Sequence, residues 1–164
     1  MRRVGLLCEY FIAPTRTDAA ETIDWSGGPA VPRRAGRIFR RQSGEPFPTV
    51  SLPGVEPTMW TSKLEELMTG HTLEEMLANQ AFDVVVERDH GQRLVVSLSP
   101  DLQAALDRVD DGLVPDIAAR WAETDSEYGT GGNPDLAQVA LIQLVALARS
   151  ATQRGWSWYC WVSV

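Results

Sequence analysis

The chain predicts an α+β fold: a single domain with a small, largely antiparallel sheet that includes both terminal strands, and helices packed on one face. Three stretches carry that prediction. Asn133 to Gly155 has the pattern of one long helix, and Trp156 to Val164 has the alternation of a strand. Arg3 to Ala13 alternates in the same way at the other end, and two further alternating runs, Ala81–Arg88 and Arg93–Ser99, flank a short turn. Strands and helices that segregate along the chain, without a repeated βαβ order, point to α+β.

In chain order, the first strand puts Val4, Leu6, Cys8, Tyr10 and Ile12 on one face and Leu7, Glu9 and Phe11 on the other, and Pro14 stops it. Thr17 is the expected N-cap of a short helix from Asp18 to about Asp24. Residues 26–56 hold five Gly and five Pro in 31 positions and predict a long loop. A stretch of that length is either functional or poorly ordered. Phe47, Val50 and Leu52 form a short strand as the chain returns.

Pro57 to Thr69 has a helical stripe of Trp60, Lys63/Leu64 and Leu67/Met68, closed by Gly70. Thr72-Leu73-Glu74-Glu75 fits a capping box and opens a short helix through Asn79. The hairpin turns about Asp89-His90-Gly91-Gln92, with Phe82, Val84 and Val86 on the same face as Leu94, Val96 and Leu98. Ser99-Pro100-Asp101 starts a helix with Leu102, Ala105, Leu106 and Val109 inward. Pro115 begins another, with Ile117, Ala118 and Trp121 as its apolar side. An acidic, glycine-rich loop from Glu123 to Gly132 follows.

For the long helix, Asn133 is the N-cap, Pro134 occupies the first helical position, and Asp135 places negative charge at the positive end of the dipole. Apolar residues cover most of the circumference and leave only Gln138, Gln143, Arg149 and Gln153, so the helix is expected inside the domain. Those polar residues also interrupt it too often for a membrane span. Gly155 ends it. The last strand then aims Trp156, Trp158, Cys160, Val162 and Val164 one way and Ser157, Tyr159, Trp161 and Ser163 the other.

A length of 164 residues suits one domain with a real core, and 44% hydrophobic with 23% charged residues is ordinary for a globule. The net charge of −7 is uneven: residues 1–41 hold eight Arg against four acids, and the remainder is strongly acidic. Met1-Arg2-Arg3 before a short apolar run lacks the length and cleavage site of a secretion signal, and two cysteines make no disulfide framework. The expected compartment is the cytoplasm.

Gly5-Leu6-Leu7-Cys8-Glu9-Tyr10-Phe11-Ile12-Ala13-Pro14, Leu52-Pro53-Gly54-Val55-Glu56-Pro57, and Gly155 with Tyr159-Cys160-Trp161-Val162-Ser163 carry a resemblance. The chain resembles a family of small actinobacterial proteins that begin with a Tyr-Phe-x-Ala-Pro segment and end on a Tyr-Cys-Trp strand. That family has no established activity, so the resemblance implies a compact bacterial domain and lends no catalytic residue.

Candidate chemistry is sparse. Cys8 and Cys160 lie on apolar faces without a basic neighbour in sequence, which fits packed, inert thiols better than a nucleophile or redox pair. His71 and His90 belong to no Ser-His-Asp or Cys-His motif, and with the two cysteines they match no zinc spacing. Tyr128-Gly129-Thr130-Gly131-Gly132 before a helix suggests a phosphate cradle, but it lacks the P-loop Lys and is surrounded by acids. The same acids have no EF-hand continuation. Six Trp exceed what a small core needs and could wall a ligand site, with core packing the simpler use.

The distinctive feature is Arg33, Arg34, Arg37, Arg40 and Arg41 with Ile38 and Phe39 between them, the one basic cluster in an acidic protein. Arg33, Arg34, Arg37, Phe39, Arg40 and Arg41 are therefore the candidate binding residues. A solvated or self-docked loop is the plainer use of that cluster; an acidic protein partner is its best functional one. A pI near 4.8 and the lack of a second basic element argue against nucleic acid. The expected function is a small interaction, immunity-type or regulatory protein, monomeric or homodimeric. The alternative is an enzyme or ligand-binding protein with an Arg- and aromatic-lined pocket for an anion. No catalytic residue, metal site or cofactor is assigned.

Overall fold

The computed structural model describes residues 5–30, 46–124 and 132–164. Its five-stranded sheet consists of β1 (Leu7–Ala13), β2 (Thr49–Ser51), β3 (Asp83–Arg88), β4 (Arg93–Ser97) and β5 (Ser157–Ser163), in the order β2-β1-β5-β4-β3. Every pairing is antiparallel. The first and last strands lie side by side over their full lengths, from Leu7 opposite Ser163 to Ala13 opposite Ser157. β5 sits at the centre of the sheet, and a hydrophobic cluster packs on each of its faces, which accounts for its apolar residues on both.

The helices are α1 (Arg16–Glu21), α2 (Met59–Thr69), α3 (Leu73–Ala78), α4 (Pro100–Arg108), α5 (Val114–Glu123) and α6 (Pro134–Arg154). The main core lies between one sheet face and α2, α4, α5 and α6. Trp158, Cys160 and Val162 of β5 meet Leu102, Leu106, Leu141, Leu144 and Ala148 there. The opposite face carries a smaller cluster of Phe11, Val95, Tyr159 and Trp161, covered by Ala19 of α1 and Ile23 of the 3-10 turn Thr22–Asp24. Phe47 stacks over Phe11 at 6.0 Å and over Trp25 at 5.4 Å. The α+β class, the single domain and the placement of both terminal strands are as the sequence predicts.

Local signals act as expected at most ends. Asn133 Oδ1 accepts from the amides of Asp135 and Leu136, and Gly155 closes α6 at φ 68°. Thr72 and Glu75 form the reciprocal capping box of α3. The cap of α1 is Thr15, two residues before the expected Thr17, because the Thr15 hydroxyl reaches the amide of Asp18.

Two further expectations are corrected. Val84 pairs with Val96, but Val86 pairs with Val95, so a bulge at Val85 reverses the alternation. Val86 therefore packs on the smaller cluster with Val95, away from the face of Leu94 and Leu98. The second correction concerns α6, which is not enclosed. Eight of its residues are buried against the sheet, α4 and α5, yet Leu136, Val139 and Ile142 are each more than half exposed. The neighbouring layers wrap one side of the helix, and its apolar surface continues past them. No helix among the described residues is long and apolar enough to cross a membrane.

Candidate functional site

The Arg33, Arg34, Arg37, Phe39, Arg40 and Arg41 cluster lies outside the described residues, as does most of the acidic loop before α6. Cys8 and Cys160 are fully buried on adjacent strands, and burial beside Cys8 pushes the Cys160 thiol well above its usual range. Both thiols are packed in the sheet, on the apolar faces where the sequence puts them. His90 occupies the exposed β3–β4 turn at φ 57°. Trp60, Trp121 and Trp158 belong to the main core, where the Trp158 indole N–H donates to the Ser99 carbonyl at 2.9 Å.

His71 is placed differently. Gly70 ends α2 in the left-handed conformation at φ 78°, and the chain turns there so that His71, just past the helix, comes back beside Glu65. Its Nδ1 lies 3.6 Å from Glu65 Oε1 and 3.7 Å from Asp101 Oδ2. Asp101 occupies the first turn of α4, whose N-cap Ser99 accepts from the amide of Leu102. The Thr69 hydroxyl donates to the carbonyl of Glu65 at 2.8 Å and accepts from the amide of His71 at 3.2 Å. One side chain thus ties together the backbone segments bearing Glu65 and His71.

Glu65 is the unusual member. It is a carboxylate at 1% exposure, and its Oε2 has no hydrogen-bond partner among the described residues. Burial raises its pKa above the usual 4.5, while Ser99 and His71 draw it back. His71 and Asp101 line a groove of about 700 Å³ bounded by α2, α4 and α5, with Arg108, Asp116 and Arg120 also on its walls. Among the described residues no Phe, Tyr or Trp lines it.

The sequence pattern missed Glu65 and Asp101. The available signal was the spacing of Thr61, Glu65 and Thr69, a polar row four residues apart on a helix that must pack on both α4 and α5.

A second surface is the outer side of α6. Leu136, Val139, Ile142 and Ala146 recur every three or four residues on its exposed side. At 1.5 Å per residue they form a strip roughly 15 Å long, bordered by Gln143 and Arg149. No family model, curated protein or solved structure matches the chain.

Proposed function

We propose that the chain is a small cytoplasmic interaction protein, of the immunity or regulatory type and of the actinobacterial kind its two ends resemble, that binds an acidic protein partner. The observation behind this is the outer side of α6: three large aliphatic side chains, each more than half exposed, in one line on a rigid helix. An apolar helix face of this kind serves as the anchor row of a helix-in-groove contact. The Arg33–Arg41 segment adds positive charge to a body that is otherwise acidic, so an acidic partner is steered toward that segment and repelled elsewhere.

The test compares wild-type chain, Val139→Asp/Ile142→Asp, and a variant with the five clustered arginines changed to Ala, each used to recover partners from native extract. A partner retained by wild type and lost by both variants supports the proposal. Identical recovery by all three, or a wild-type homodimer that closes over α6 by light scattering, overturns it.

The groove favours a second function, capture of a small anionic ligand, because Arg108 and Arg120 share its walls with His71. Arg108→Ala/Arg120→Ala separates the two: it leaves protein capture unchanged and removes ligand binding.

A further inference from the structure

We infer that Glu65, His71 and Asp101 form a binding site for a divalent transition cation of the zinc class. These are the only three described residues of ligating type whose donor atoms converge, all within 4.8 Å of one another. Separations of 3.6 and 3.7 Å between the imidazole nitrogen and the two carboxylates exceed hydrogen-bond length. They lie close to the spacing of about 3.3–3.5 Å between ligand atoms bound tetrahedrally at zinc distances. Two edges of the triangle thus approach those of a coordination tetrahedron, and the third, between the carboxylates, is within 4.8 Å.

Glu65 supplies the independent observation. A carboxylate almost wholly withdrawn from water, with one oxygen lacking any donor among the described residues, is costly in its charged form, and a bound cation offsets that cost as an alternative to a proton. Ser99 and His71 both face Glu65, but the nearest His71 nitrogen stands 3.6 Å from Oε1 and Oε2 is left without a donor among the described residues. A bound cation would offset the charges of Glu65 and Asp101 together.

The donor set selects the ion. One imidazole with two carboxylates suits zinc and its first-row neighbours, whereas calcium and magnesium favour all-oxygen shells. His71 and Asp101 face the groove, with side chains 44% and 65% exposed, so an ion has a path from solvent. The Thr69 hydroxyl bonds the backbone at Glu65 and His71, and the Ser99 cap bonds the amide of Leu102 beside Asp101, so the segments that bear the three ligands are held in place. Three protein ligands leave further coordination positions for water or an anion.

Isothermal titration of the full chain with zinc chloride tests this. The expected result is one saturable site of micromolar or tighter affinity. His71→Ala and Asp101→Asn should each weaken it tenfold or more, with circular dichroism unchanged and magnesium not competing. Asp101 is exposed, so its variant reports on the site even if a change at buried Glu65 disturbs folding. Absence of saturable binding, or affinity unchanged in Asp101→Asn or His71→Ala, overturns the site. Weakening by His90→Ala instead would also overturn it, by locating the ion at the hairpin turn.

Discussion

The indole N–H of Trp121 donates to the backbone carbonyl of Trp60 at 3.0 Å, while the two rings stack with centroids 3.6 Å apart. This contact joins α2 to α5 in the main core. Both rings are almost wholly buried, so each adds a large apolar area as well as a specific geometry. Trp121→Ala should cost about 3–5 kcal/mol through cavity formation and loss of the stack. Trp121→Phe, which keeps a ring but loses the N–H, should cost less. Urea unfolding measures both, and a Trp121→Ala loss under about 1 kcal/mol would mean that the ring is not core.

Glu65 gives the metal-free protein a pH signature. Its pKa in the folded state is raised above the usual 4.5, chiefly by burial, so the folded protein holds that proton more tightly than the unfolded chain. The contribution is fully present below the unfolded value and is lost as pH rises through the folded one. Glu65→Gln should remove this part of the decline and be the more stable form at neutral pH. Glu9, also raised by burial, leaves a residual slope of the same sign. Melting temperature against pH, in chelator, measures it; parallel wild-type and Glu65→Gln curves would contradict the assignment.

The ends of α6 predict two modest, separable losses. Asn133→Ala removes the side-chain acceptor for two first-turn amides and should cost about 1 kcal/mol. Gly155→Ala meets no atom within 4 Å, so its cost comes from backbone conformation alone at φ 68°. About 1 kcal/mol is expected for it, with Gly155→Asn costing less because Asn tolerates that region. Chemical denaturation of the three variants checks the order.

Much of the fold was legible because its signals are local. The β5 alternation placed Trp158, Cys160 and Val162 opposite Tyr159 and Trp161, and the two faces of the sheet bury those sets separately. Caps at Asn133, Thr72 and Ser99 needed only neighbouring residues. Val86 escaped because a bulge inserts one residue without changing composition, and period two cannot reveal its own interruption. The exposed line on α6 was read as buried because hydrophobicity around a helix does not show how many layers surround it. Glu65 and Asp101 lie 36 positions apart and are joined only by the packing of α2 on α4, a tertiary fact with no local pattern.

The outer side of α6 should also be energetically silent in the isolated protein. Val139→Asp/Ile142→Asp places charge where solvent already reaches, so unfolding should change by no more than about 0.5 kcal/mol per site. Unfolding of the purified variant in urea checks this. A loss of several kcal/mol would show that the face is structural.

Site-specific photo-cross-linking tests the central proposal most directly. A photoreactive residue at Ala146, on the exposed line of α6, should capture one acidic protein in native extract. The same group at Glu87, on the sheet edge, should not. Capture of that protein at both positions, or only a second copy of the chain at Ala146, would contradict a partner-binding role for this helix.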